Sequence, residues 1–360
     1  MYKVLVEKLL YTCPDVRRVY ILLREKRGQQ TEPRLEDFLN TPAFTGTGRT
    51  PRNVLKAKII ALNGDVTVDH LGLSDHDWNI LVQEVDVIIN SAASVRFDDP
   101  MIKALDTNVR GVISCLELCR QAKHCLSFVH VSTSIVHCQL DTLEEKIYPM
   151  NVTAEHLMEL VKWLPSADMD KLCKDYLFDG RPNSYIFTKA LAEDYLVRHA
   201  HGLPVAVARL SMVVSSRSEP EVGFIDVAQA GVFVGLTQGL GALRTFDYNP
   251  DAYGQCVFVD TSANTLLTIA YVLVTNYGKY SSPSRPRLQV FNITRRLMSY
   301  QDAFSVSTRI IQESPLLKAF RPPIQIHKPN WLSYNWNRWV TEWLFVYIIE
   351  KILLLFGYNL

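Results

Sequence analysis

A chain of 360 residues with 48% hydrophobic and 21% charged residues has globular proportions. Those proportions exclude a disordered chain and leave room for one α/β core with an appendage. Lys and Arg number 38 against 37 Asp and Glu, so no basic excess exists to grip a phosphate backbone and no nucleic-acid partner is expected.

The seven cysteines are odd in number and form no C-x-x-C pair. That argues against a disulfide framework or a zinc site and for a reducing compartment. In chain order, Val4, Leu5, Leu9 and Leu10 come first, interrupted by Lys3, Glu7 and Lys8. This is the spacing of a helix face and not of a signal peptide. Short β-branched runs follow at Val19–Leu23, Lys58–Leu62, Val85–Ile89, Ser127–Val131 and Val205–Leu210. Helical stretches are predicted at Pro33–Leu39, Asp75–Gln83, Met101–Gln121 and Tyr185–Ala200. Strand and helix alternating at this spacing predict an α/β fold with a doubly wound, Rossmann-like parallel sheet.

From Ser211 the pattern changes. Gly-rich loops run from Gly231 to Gly241, an apolar run covers Cys256–Val259, and a helix is expected near Thr261–Val274. A surface loop at Ser281–Pro286 and a strand at Leu288–Ile293 complete a smaller substrate lobe. The expected organisation is one domain over 1–330, its lobe mainly 211–330, followed by an apolar C-terminal helix in 331–360. Residues Trp339–Leu360 are long enough for a membrane span, but Glu342, Glu350 and Lys351 lie inside them. Trp331, Tyr334, Trp336, Trp339 and Trp343 precede or open the segment, as interfacial aromatics would. Hydropathy alone leaves a membrane-associated helix and a buried one open.

The sharpest local signal is PNSYIFTKALAE at Pro182–Glu193. Tyr185 and Lys189 stand four apart on a predicted helix and share a face. An ammonium near a phenol lowers its pKa, which makes the pair a plausible proton source for a carbonyl oxygen. A second Y-x-x-x-K, Tyr347 with Lys351, shows that the pattern also arises by chance. FVHVSTSIV at Phe128–Val136 places Ser132, Thr133 and Ser134 at a strand's C-terminal edge, where open α/β sheets bind ligands. Arg24, with Lys26 and Arg27 after it, supplies cations beyond the strand Val19–Leu23 that favour a 2′-phosphate and hence NADPH. Glu25 leaves bonding to a ribose diol open as the alternative.

Several stretches in order resemble the extended short-chain dehydrogenase/reductases, and more specifically the alcohol-forming fatty acyl-CoA reductases of animals. They are KVLVEKLLYTCPDVRRVYILLR, LNGDVT at Asp65, VDVIINSAASVRFDDP around Ser91, Ala92, Ala93 and Arg96, TNVRGV at Asn108, VHVST at Thr133 and PNSYIFTKALAE. An insertion containing EEKIYP (Glu144–Pro149) separates Thr133 from Tyr185, which is also similar to the acyl-CoA reductases. The resemblance implies NADPH-dependent reduction of long-chain fatty acyl-CoA to a primary alcohol through an enzyme-bound aldehyde. It implies that Tyr185 donates a proton to the carbonyl oxygen, and that Lys189 lowers the tyrosine's pKa and holds the nicotinamide ribose. Thr133 would hydrogen-bond the developing alkoxide, and Asn108 would help hold a relay water. Arg24, Asp65, Ser91, Ala92, Ala93 and Lys189 would line the cofactor.

Against that family, the chain is expected to lack the first strand with its glycine-rich turn and most of the C-terminal helical region. Leu210 and Phe258 stand where the family commonly has Pro. Two rivals share the motifs: another extended dehydrogenase of hydroxysteroid or nucleotide-sugar type, and a non-catalytic, membrane-associated relative without the cofactor loop. The family also implies a peroxisomal or endoplasmic-reticulum membrane, on its reducing side. No metal site is expected. His124, His130 and His137 are read as packing or surface residues, and the sequons at Asn151 and Asn292 as chance.

Overall fold

The computed structural model describes residues 1–25, 31–46, 48–227, 230–276, 288–317, 319, 321–322, 324, 326–327, 330–344, 347–348 and 351. Lys26, Arg27 and the loop expected at Ser281–Pro286 lie outside them.

In chain order come α1 (Tyr2–Thr12), β1 (Val19–Leu23), α2 (Thr31–Leu39), α3 (Pro42–Thr45), α4 (Arg52–Lys58), β2 (Ile59–Asn63), α5 (Asp75–Glu84) and β3 (Val87–Asn90). Next are α6 (Met101–Leu105) and α7 (Gly111–Gln121), joined without a break by the π-type turn Asp106–Arg110. β4 (Ser127–Thr133), α8 (Ala154–Leu160), α9 (Ser166–Leu172), α10 (Ser184–His199), β5 (Val205–Leu210) and β6 (Met212–Val214) follow. The chain then forms α11 (Ala230–Gly239), β7 (Thr245–Phe246), β8 (Tyr253–Phe258), α12 (Val259–Thr275) and β9 (Gln289–Ile293). It ends with β10 (Arg295–Ser299), α13 (Tyr300–Glu313), β11 (Ile326–His327) and α14 (Trp331–Arg338), which runs on into the π-type turn Trp339–Trp343.

Two compact units divide the chain: Met1–Asp226 with Val257–Thr294, and Val227–Cys256 with Arg295–Leu360. These boundaries differ from the expected lobe over 211–330 and tail from 331. Residues 211–226 and 257–294 belong with the first unit because α12 and β9 complete its sheet sandwich. The segment from Trp331 onward belongs with the second unit.

In the first unit the parallel sheet comes in two pieces, β1–β2 and β3–β4–β5–β9. Alternating residues sort onto its two faces, as a pleated strand requires. Ile88, Phe128, Val205, Val207 and Val290 face α5, α7 and α10, and Tyr20, Leu22, Ile60 and Leu62 join that same core. Val129, Ala206, Ala208 and Ile293 face α1 and α12. Beneath β1 and β2, Ile59, Val19 and Ile21 meet Val6 and Leu10 of α1 with Phe38 and Leu55. Thus α1 spans both pieces on one face, and one continuous core spans them on the other. Burial of aliphatic side chains at ~25 cal/mol per Å² of apolar surface supplies the main cohesion between them.

In the second unit β8 and β10 pair antiparallel through Tyr253, Gln255 and Cys256. Phe246 packs on Phe304 with ring centroids 4.5 Å apart. Glu342, a costly residue for an apolar span, accepts the backbone N–H groups of Arg244 (3.1 Å) and Thr245 (2.8 Å). It thereby fastens the turn Trp339–Trp343 to β7. Among the described residues no helix is long and apolar enough to cross a membrane.

Candidate active site

Asn183 starts α10 by accepting the N–H of Ile186 at 3.0 Å, a good N-cap arrangement. The cap fixes Tyr185 in the first turn of the helix. Ser184 Oγ donates to the carbonyl of Asp99 (2.8 Å), tying this turn to the loop after β3. Thr133, buried at the last residue of β4, hydrogen-bonds the Tyr185 side chain. Burial raises the phenol above its ordinary pKa, with the Thr133 bond acting in the opposite sense. The ring of Phe97, 59% exposed, lies 5.7 Å from the Tyr185 ring.

Lys189 is one helical turn further on and almost fully buried. Its Nζ donates to the Val131 carbonyl at 2.6 Å and meets His130 Nε2 at 3.2 Å. Burial pulls its pKa down to about 8, while Glu193 works to raise it. The expected depression of the Tyr185 pKa by Lys189 is therefore replaced by a raised phenol. In this arrangement the ammonium is engaged by the underside of β4, and desolvation dominates the tyrosine.

Asn108 projects from the widened turn Asp106–Arg110, and is almost fully buried. Its Oδ1 accepts Ser94 N–H at 2.9 Å, and its Nδ2 donates to Thr188 Oγ1 at 3.0 Å and Ser94 O at 3.3 Å. Its polar atoms thus tie the loop after β3 to α10. That loop carries Ser91, Ala92 and Ala93, with Ala92 N–H bonded to Asn90 Oδ1 at 3.2 Å. Its far end is fixed by Asp99, which accepts from Ser94 and from Lys103.

At the ends of β1 and β2, Arg24 and Asp65 face one another, Nη1 to Oδ2 3.6 Å, with Arg24 67% exposed. Burial works to raise the Asp65 carboxyl, but the Thr67 N–H and hydroxyl bonds and the Arg24 charge hold it below its ordinary value. Gly64 is required here: a Cβ would come within 2.3 Å of Leu22 Cδ1 and 2.6 Å of Leu71 O. Glu25 accepts from Asn63 at 3.3 Å. An exposed guanidinium beside an ionised carboxylate offers partners for both a phosphate and a ribose hydroxyl. With Ser91–Ala93 and Lys189, these groups fit the two ends of a dinucleotide lying across the C-terminal strand edges.

Glu193, Arg209 and Arg181 went unassigned in the sequence, and His130 was read there as a packing or surface residue. His130 lies under Lys189. Glu193 accepts Ser132 Oγ at 2.5 Å and a two-pronged bond from Arg209 (3.0 and 2.6 Å), both charges having no exposure. Arg209 also donates to the carbonyls of Glu144 (2.9 Å) and Lys146 (2.8 Å), which pins the EEKIYP insertion. Arg181 bonds His137 Nδ1 at 2.8 Å. A lone polar residue inside an apolar strand was the available signal for His130 and for Arg209. The second Y-x-x-x-K is a surface pair, with Lys351 over the Tyr347 ring at 5.2 Å.

The family described as Male sterility protein, an NAD-binding domain family, matches residues 1–266. Fatty acyl-CoA reductase 1 of Mus musculus is 34% identical over 338 residues, covering 93% of this chain and 64% of that protein. Fatty acyl-CoA reductase wat of Drosophila melanogaster is 32% identical over 283 residues, covering 78% of this chain and 53% of its own. The chain thus spans less than two thirds of the length of these relatives. Among solved structures, the reductase domain of a nonribosomal peptide synthetase from Mycobacterium tuberculosis superposes with a TM-score of 0.63 at 17% identity, over 94% of this chain and 73% of that one. A thiolation-reductase di-domain from an archaeal synthetase gives 0.57 at 20% identity, over 87% and 58%. Both likenesses concern the fold, and they bear out the expected Rossmann-like class.

Proposed function

The chain belongs to the NAD-binding family described as Male sterility protein, and from that membership we propose that it is an NADPH-dependent reductase of long-chain fatty acyl-CoA, giving a primary alcohol through an aldehyde retained at the site. The observation that carries this reading is the Thr133–Tyr185 pair at the C-terminal edge of β4, with Lys189 buried one turn behind it. The likeness to fatty acyl-CoA reductases over 93% of the chain supports the substrate class.

When bound, the nicotinamide supplies hydride, so the protein's task is to position and polarise. Thr133 Oγ1 and the Tyr185 hydroxyl are neighbours, and a carbonyl oxygen gaining negative charge beside them would take a hydrogen bond from each. A phenol held neutral by burial keeps its proton until that oxygen becomes basic enough to take it. Phe97 covers the Tyr185 ring and would keep water from the reacting carbon. Arg24 would pair with the 2′-phosphate of the cofactor, Asp65 would lie on its adenine side, and Ser91, Ala92 and Ala93 would line it. Exposed Trp331, Trp336, Trp339 and Trp343 support attachment to a membrane interface, with the peroxisomal or endoplasmic-reticulum surface on its reducing side as the proposed location.

The test is NADPH oxidation by the full chain with a long-chain acyl-CoA, products being identified by mass spectrometry. Alcohol formation that falls by about 100-fold or more in Tyr185→Phe is the expected result. Turnover that survives the substitution unchanged rejects Tyr185 as the proton donor, and absence of any reduced product rejects the reading.

A further inference from the structure

Lys189 meets an unusual partner. His130 has no exposure and lies in β4 among Phe128, Val129 and Val131. Its Nε2 is 3.2 Å from Lys189 Nζ, and its Nδ1 has no hydrogen-bond partner. An ammonium only donates, so Nε2 must accept and the ring proton must sit on Nδ1. That leaves a buried N–H unsatisfied, an arrangement that costs stability and that an aliphatic residue in the same strand would avoid.

We propose that His130 is a positioning residue for Lys189: its neutral imidazole accepts from the ammonium and, with the Val131 carbonyl, fixes where the lysine sits beneath the Thr133–Tyr185 pair. The role of Lys189 in catalysis rests on the function proposed above; the pairing itself does not.

The surrounding charges are compatible with this role. Glu193 follows Lys189 on the same helix and favours the ammonium, but its oxygens are bonded to Ser132 and Arg209. Tyr185, on the preceding turn, is bonded to Thr133. From β5 the facing charge is Arg209, which is matched by Glu193. Burial, followed by the Lys189 charge, drives the His130 pKa well below its ordinary value. The imidazole therefore stays an acceptor through the neutral range.

The experiment compares the full chain with His130→Leu, which fills the space without an acceptor, and His130→Gln, which restores an acceptor oxygen. In 15N-lysine-labelled protein, Lys189 is identified by the signal lost in Lys189→Arg, and its titration midpoint is read by NMR. His130→Leu should lower the midpoint by about one pH unit, because a hydrogen bond to the charged form is lost. His130→Gln should restore most of it. With acyl-CoA turnover, His130→Leu should move the alkaline limb of kcat to lower pH and leave KM unchanged within about twofold. A purely packing role would change the melting temperature and leave the midpoint alone. An unmoved midpoint in folded His130→Leu overturns the proposal. Absence of turnover in the unsubstituted chain would reject the reductase reading, while the midpoint still decides the role of His130.

Discussion

The pKa of Lys189, drawn from 10.5 to about 8 by burial, makes stability depend on pH in a stated direction. Between about 8 and 10.5 the unfolded chain holds this proton and the folded chain does not, so stability rises with pH through that window. The contribution is complete above 10.5 and lost as pH falls through 8, and it amounts to about 3 kcal/mol. Urea unfolding at pH 7.5 and 9.5 should show a rise for the parent chain that Lys189→Met flattens; equal slopes would mean that the lysine is solvated. At this scale the sequence was informative where a motif spans few residues. Tyr185, Lys189 and Thr133 were legible because a helix turn and a strand end bring them forward. His130, Glu193 and Arg209 were not, because their meaning lies in partners 59 and 16 positions away. Asn108 was singled out in the sequence, but its bonds to Ser94 and Thr188 are a matter of tertiary packing.

The elements of the first unit were readable wherever apolar periodicity was strong. Val19–Leu23 and Val205–Leu210 match the expected strands, and β3 begins two residues later than expected because Val85 caps α5. By contrast α4, α8, α9 and α13 escaped separate prediction, as did α3, and α11 occupies most of the stretch Gly231–Gly241 that was expected to be loop. The first three are seven-residue helices held by packing. The fourth, Tyr300–Glu313, has no buried residue to advertise its inner face. What joins α10 to β5 is the buried Glu193–Arg209 pair, which also holds the EEKIYP insertion by two carbonyls. Glu193→Gln leaves an uncompensated guanidinium in the interior and should cost about 3–5 kcal/mol in urea unfolding. It should also make the insertion more readily cleaved by protease. A cost below about 1 kcal/mol would mean that water reaches Arg209.

For the whole molecule, the division of the sheet into β1–β2 and β3–β4–β5–β9 sets the order of opening. β4 and β5 are paired on both sides, whereas β1–β2 is joined to them through α1 and a shared side-chain core. Native-state hydrogen exchange should find β1 and β2 opening at lower free energy than β4 and β5, and equal protection would contradict this. The likeness to reductase folds was foreseeable from the order of strands and motifs. The unit boundaries were not, because the chain passes from one unit to the other three times, after Asp226, Cys256 and Thr294. That threading has a consequence for synthesis on the ribosome. The first unit cannot close its sheet until β9 has emerged, and by then the segment Val227–Cys256 is already outside, waiting for Arg295 and the residues beyond it. At ~5–20 residues per second, the nascent chain carries two unfinished cores at once for several seconds. Apolar strands are uncovered during that interval, so binding by a holding chaperone, or slowed translation of the residues after Thr294, should govern how much folded protein is recovered.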